Sequence, residues 1–176
     1  MSREYFELLG LPAQLTISQG DLQRRFYELS RQWHPDRFAR KSEQERQAAL
    51  DTSSDLNDAY RTLRDPVRRS EYVLKQNGFD IGEQGTKDVP PELLEEVFEL
   101  NMAMEELRGG DESARAQLEQ ASAKFQAMLT GIDGELESLF TRYDAQPGRE
   151  SLLPIRALLN RRKYIQNLAG QVSAVA

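Results

Sequence analysis

The sequence has no cysteine and a single histidine, His34. Without thiols there is no disulfide, no thiolate nucleophile and no iron–sulfur or Cys/His zinc ligation, and one imidazole cannot furnish a two-histidine metal site. No stretch approaches the ~18 apolar residues of a membrane span, and Arg3, Glu4 and Glu7 interrupt the opening MSREYFELLG where a signal peptide needs an apolar run. Positive charge is not in excess either. The 23 Lys and Arg against 29 Asp and Glu leave −6, which disfavours nucleic acid or an anionic membrane as partner. Runs of Val, Ile and Thr alternating at strand period are also missing. These absences remove much enzymology and predict a soluble, intracellular, all-α protein without metal or cofactor.

The 176 residues, 39% of them apolar, suffice for one sizeable core or two small ones at ~100–200 residues per domain. Up to Lys75 the chain has 13 basic and 12 acidic residues, leaving 10 and 17 for the remainder. A near-neutral half followed by an acidic one suggests two modules. Between them Asn77–Pro91 gathers Gly78, Gly82, Gly85, Pro90 and Pro91, a concentration of helix breakers that marks residues 77–91 as the linker.

Helical periodicity dominates both sides. Tyr5, Phe6, Leu8 and Leu9 form a short leading helix or turn. Leu22, Phe26, Leu29 and Trp33 make one stripe on a helix that Ser18 caps, with Asp21 completing an approximate capping box, and Pro35 stops it. A second helix from about Glu43 to Arg64 places Ala49, Leu56, Ala59, Tyr60 and Leu63 on one face, antiparallel to the first, and Asp65-Pro66 restarts a shorter one. After the linker, Leu93, Val97, Leu100, Met104 and Leu107 form a stripe ended by Gly109-Gly110. Leu118 through Tyr143 continue the 3/4 spacing across Gly131 and Gly134, where the helix is expected to weaken or bend. Ser151 is the expected cap of a last helix, with Pro154 in its first turn and Ile155, Leu158, Ile165 and Ala169 inward. Three such stripes predict a three-helix bundle over residues 92–176.

His34-Pro35-Asp36 falls between the antiparallel helices, where proline fixes the backbone and leaves a titratable and a charged side chain exposed. Its surroundings, Trp33-His34-Pro35-Asp36-Arg37-Phe38 and Leu56-Asn57-Asp58-Ala59-Tyr60-Arg61-Thr62-Leu63-Arg64-Asp65-Pro66, resemble the J domain of DnaJ-type co-chaperones; the resemblance covers residues 4–76 and implies a J domain over residues 1–76. The resemblance implies that His34, Pro35 and Asp36 dock on a DnaK-type chaperone and trigger its ATP hydrolysis, the chain hydrolysing nothing itself. Arg24 and Arg31, seven residues apart on one helical face, with Arg37, Arg40 and Lys41, offer cations to an acidic partner. Tyr27, Glu28 and Gln32 depart from the J-domain pattern, standing where cations are common. Arg68-Arg69-Ser70-Glu71-Tyr72-Val73-Leu74, Gly78-Phe79, the linker and the helical C-terminal half are similar to the HscB family, the co-chaperones of iron–sulfur cluster biogenesis. No Gly/Phe-rich stretch, zinc-binding cysteine repeat or cysteine-containing N-terminal extension is present, which favours the bacterial cytoplasmic form.

One feature of the bundle exceeds what its core needs. At 100° per residue, Leu94, Phe98 and Met102 form a second stripe centred about 140° from the first, with Glu95, Glu99 and Glu106 alongside. Either the helix is sandwiched and buries both stripes, or the three are scattered surface positions that need no explanation, or this face holds a partner, anchored by apolar residues and rimmed by carboxylates that select a basic surface. The family resemblance implies that the partner is the iron–sulfur scaffold protein, IscU, with Tyr164 an added contact and an HscA-like chaperone as the ATPase. A J-domain co-chaperone serving another client is the rival within this class. Carboxylate acid/base catalysis through pairs such as Glu95 and Glu99 lacks a convergent polar cleft, and breakers between short helices disfavour a coiled coil.

Overall fold

The computed structural model describes residues 4–80 and 91–175; Arg3 and the Gly82, Gly85 and Pro90 of the expected linker lie outside them. Among the described residues the chain is all-α: α1 (Tyr5–Leu8), α2 (Gln19–Gln32), a 3₁₀ turn (Pro35–Phe38), α3 (Glu43–Arg64), α4 (Pro66–Gln76), a 3₁₀ turn (Pro91–Leu93), α5 (Leu94–Arg108), α6 (Ala114–Ala145) and α7 (Arg149–Val175).

Side-chain caps set the boundaries in the first half. Ser18 Oγ accepts from the Asp21 amide at the start of α2, and Ser42 with Glu45 forms a full capping box on α3. Asp65 caps α4, with Pro66 at its first position where no amide donor is required. The expected box at Ser18 is only half made, because the Asp21 carboxylate binds Arg24 at 3.0 Å. Helices α2 and α3 are antiparallel: Gln19, at the start of α2, donates to the carbonyl of Arg64 at the end of α3, while Phe26 stacks on Tyr60 at 4.2 Å. Of the expected α2 stripe only Leu22 is fully buried. Phe26, Leu29 and Trp33 are half-buried against the core that Leu9, Leu15, Leu56, Leu63 and Leu74 complete.

In the second half α6 packs along α7 and α5 lies against both, burying Leu100, Met104, Leu118, Phe125, Leu136, Leu152 and Ile155. Gly131 and Gly134 do not interrupt α6, whose hydrogen-bonded ladder carries through two exposed positions. Helix α7 begins earlier than the sequence suggests. Ser151 lies inside it, donating to the Gln146 carbonyl, and Pro154 stands in the second turn rather than the first.

The halves are packed together as well as tethered. The Asp144 carboxylate on α6 accepts from the amides of Leu15 and Thr16 at 2.7 and 2.8 Å. Arg69 on α4 is buried, donates to the carbonyls of Leu15 (2.8 Å) and Leu63 (2.6 Å), and lies over the Phe140 ring. Burial lowers the pKa of this guanidinium, and Asp65 and Asp144 oppose that shift. Phe79, just beyond α4, is buried beneath Arg149 and Arg156 of α7, at 4.2 and 5.4 Å from its ring centroid. Arg149 also donates to the Asn77 carbonyl at 2.8 Å. The first residues of the expected linker therefore belong to the interface.

Candidate functional site

Helix α2 ends at Gln32, and the chain turns through His34-Pro35-Asp36-Arg37-Phe38 before α3 begins. His34 caps the 3₁₀ turn, its Nδ1 accepting from the Asp36 amide at 3.3 Å. That bond leaves Nδ1 unprotonated, so in the neutral ring the proton sits on Nε2 and is available to a partner. Pro35 occupies the first position of the turn and fixes its φ. The Trp33 and Phe38 rings stack with centroids 5.7 Å apart and planes within 4°, clamping the two ends of the turn together. The Asp36 carboxylate extends almost wholly into solvent, 3.6 Å from His34 Nδ1. It is a free acceptor for a cationic donor.

The cations around this turn differ in how far they are already compensated. Arg24 is paired with Asp21, whereas Arg31, Arg37 and Arg40 are exposed and make no salt bridge among the described residues. Lys41 sits near Glu45, whose pKa is lowered chiefly by the backbone and hydroxyl hydrogen bonds of Ser42 and to a smaller degree by this lysine. Arg31, His34 and Arg37 converge with Tyr27 and Ser30 on one open cleft of about 400 Å³. Arg24, Arg40 and Lys41 lie outside its lining. The sequence reading did not single out the Trp33–Phe38 clamp, which is signalled only by aromatics five residues apart across a proline; it marked Tyr27 as a departure from the J-domain pattern but not as part of this cleft.

The second surface lies on α5. Leu94, Phe98 and Met102 are 55, 66 and 49% exposed, while Leu93, Leu100, Met104 and Leu107 on the opposite side are buried. The sandwiched alternative is thus excluded. Glu95, Glu99 and Glu106 are exposed beside the open stripe. Tyr164 on α7 is half-buried against the core, so less of its ring is open than of Phe98. No group of acidic or histidine side chains among the described residues can hold a metal ion. No helix among them is long and apolar enough to cross a membrane.

Comparison with known proteins agrees with both halves of this geometry. The model of the DnaJ domain matches residues 4–72, and that of the HSCB C-terminal oligomerisation domain matches residues 89–173. A co-chaperone protein HscB homolog from Vibrio atlanticus is 34% identical over 175 residues, spanning 97% of this chain and 95% of that protein. The chain belongs to the HscB family of J-domain co-chaperones. Another member, from Vibrio vulnificus, is 40% identical over 136 residues, 75% of this chain and 79% of that one. The solved structure of chaperone HscB from Vibrio cholerae, 32% identical, superposes with a TM-score of 0.67 over 98% of this chain and 97% of that chain. The match extends across both modules, so the HscB arrangement of a J domain followed by a helical domain holds for this chain as a whole.

Proposed function

We propose that this HscB family member is a two-site adaptor: its J domain docks on a DnaK-type, HscA-like chaperone and accelerates ATP hydrolysis there, while α5 presents an iron–sulfur scaffold protein of the IscU type. The observation that carries the reading is the His34-Pro35-Asp36 turn, clamped between Trp33 and Phe38 and standing beside arginines that no carboxylate among the described residues compensates. A rigid, exposed turn offers Asp36 as a charge-assisted acceptor and His34 Nε2 as a donor without an ordering cost at docking. Arg31, Arg37, Arg40 and Lys41, with Arg24, bias the encounter toward an acidic face of the chaperone. The chain contributes no catalytic residue and holds no cofactor in this scheme; the chemistry belongs to the partner.

The open stripe of Leu94, Phe98 and Met102, with Glu95, Glu99 and Glu106 at its edge and Tyr164 beyond, supports the second half of the proposal. Exposed aromatic and methionine side chains rimmed by one sign of charge suit a partner with an apolar knob in a basic surround. Holding both proteins on one chain raises their effective concentration toward each other, so neither contact needs high affinity. The adaptor works in the cytoplasm, where its partners assemble clusters, and engages neither nucleic acid nor membrane.

The test measures ATP turnover of the cognate chaperone with the purified protein. His34→Gln and Asp36→Asn should abolish stimulation with helicity unchanged, and full stimulation by the His34→Gln protein would overturn the reading. Co-purification with each variant then identifies the client, and a protein other than an iron–sulfur scaffold would replace the second half with a J-domain co-chaperone of another client.

A further inference from the structure

The cleft beside the turn contains a residue that long-range charge attraction does not require. Tyr27 on α2 is 51% exposed, one of few large apolar side chains left open in the first half. Its ring lies tilted against that of Phe26 with centroids 5.8 Å apart, and its hydroxyl accepts from Gln23 Nε2 at 3.4 Å. Tyr27 also lines the cleft that Ser30, Arg31, His34 and Arg37 complete, and this lining is mainly apolar despite its two guanidinium groups. Arginine stems cover apolar surface while their heads stay in water, which accounts for a mainly apolar lining that includes two arginines.

We propose that Tyr27, Arg31, Arg37 and His34 form a socket for an aliphatic side chain flanked by carboxylates on the ATPase chaperone, and that Tyr27 is the contact that determines which chaperone fits. The inference rests on the docking reading above and adds the partner's chemistry to it. An aliphatic group seated against the Tyr27 ring removes apolar surface of both partners from water, and the flanking carboxylates meet Arg31 and Arg37, which have no competing ion pair among the described residues. A lysine or arginine at position 27 would add only one more point of charge attraction, which any acidic surface satisfies. An aromatic ring demands shape. Exposed cations steer the encounter and are screened by salt, whereas ring contact acts after collision and is far less sensitive to it. The two contributions are therefore separable by experiment.

Stimulation of the chaperone's ATP turnover is titrated at low and high salt with the wild type, Tyr27→Ala, Tyr27→Phe, Arg31→Ala and His34→Gln proteins. Tyr27→Ala should raise the concentration for half-maximal stimulation by about tenfold or more at either salt, while the maximal rate at saturation is retained. Tyr27→Phe should stay within about twofold of wild type, because the ring makes the contact. The Arg31→Ala deficit should shrink as salt rises. Three outcomes would overturn the socket: wild-type titration by Tyr27→Ala, a Tyr27→Ala deficit that disappears at high salt, or a change in the solution mass of the free protein on that substitution, which would assign the cleft to the acidic bundle of a second copy. Failure of the docking reading itself looks different. His34→Gln would then stimulate fully, whereas a dead His34→Gln protein beside a fully active Tyr27→Ala protein removes the socket alone.

Discussion

The two halves of the chain expose their candidate sites by different means. In the J domain the site is a turn, held rigid from both sides by a proline, a histidine cap and the Trp33–Phe38 stack, and its helices start on side-chain caps at Glu4, Ser18, Ser42 and Asp65. In the bundle the site is one face of α5, and neither α5 nor α6 has a side-chain cap hydrogen bond. The difference does not follow helix length, since the capped α3 is longer than the uncapped α5; α5 and α6 are held by the stripe they bury against α7, whereas the J-domain helices are also fastened at their termini. Function tolerates either construction, provided that the residues which bind are not those which fold.

The sharpest way to break that comparison sets two phenylalanines of the bundle against each other. Phe125 is 2% exposed in the core and Phe98 is 66% exposed on α5. Truncation of Phe125 to alanine should cost ~3–5 kcal/mol of folding stability through the cavity it leaves. Phe98→Ala should cost under ~1 kcal/mol of stability but ~2 kcal/mol or more in scaffold affinity. Thermal unfolding and scaffold titration of both variants decide this. A Phe98→Ala protein that melts as early as Phe125→Ala, or binds the scaffold normally, would dissolve the distinction between binding face and core.

The next effect concerns the contact between the halves. Arg69→Met removes a buried guanidinium and leaves the carbonyls of Leu15 and Leu63 without these donors, so ~2–4 kcal/mol should be lost. Arg149→Ala, whose cation–π contact with Phe79 and bond to Asn77 sit at the exposed edge of the same interface, should cost ~1 kcal/mol. Denaturant unfolding measures both, and equal losses would show that the interface has no buried centre.

This interface is also where the sequence was least legible. Periodicity and breakers placed the start of α2, both ends of α3 and the start of α4 to within a residue, because Ser18, Asp65 and Pro66 act on their own neighbours and leave a local signature. Spacing also separated the second stripe of α5 from the core stripe, but it left open whether that stripe is buried, because burial depends on the helices packed around α5 and not on its own period. Asp144, Phe140 and Arg69 carry no such mark. Leu15 and Asp144 are 129 residues apart, and nothing within a helical turn of either predicts that they meet. The start of α7 was misplaced because Pro154 and Ser151 fit a first turn on local grounds. The structure extends the helix back to Arg149, where the guanidinium reaches Phe79 and Asn77 in the other half. The Trp33–Phe38 clamp escaped because its two rings meet through a turn and not along a helix face.

The smallest expected effect tests the dependence of the first half on its caps. Glu45, at the third position of α3, accepts from the Ser42 backbone and hydroxyl, and those bonds lower its pKa below the ordinary glutamate value. A carboxyl group with a lowered folded-state pKa binds fewer protons folded than unfolded, so its contribution is fully present above the ordinary glutamate pKa. It is lost as pH falls through that value toward the lowered one. Glutamine at position 45 preserves an acceptor for Ser42 but cannot titrate. Glu45→Gln should therefore be less stable than wild type near neutrality by a margin that narrows on acidification to ~pH 3. Melting temperatures of the two proteins across that range check the sign: a margin that is constant or widens toward acid would show that the charge on Glu45 takes no part in holding the start of α3. In the bundle Asp111 is the counterpart, its pKa lowered by the Ser113 hydroxyl and amide, but it orders the turn before α6 and reaches no helix terminus inside the core. Asp111→Asn should accordingly change the melting temperature less than Glu45→Gln does, and the reverse order would mean that the bundle also depends on its turns.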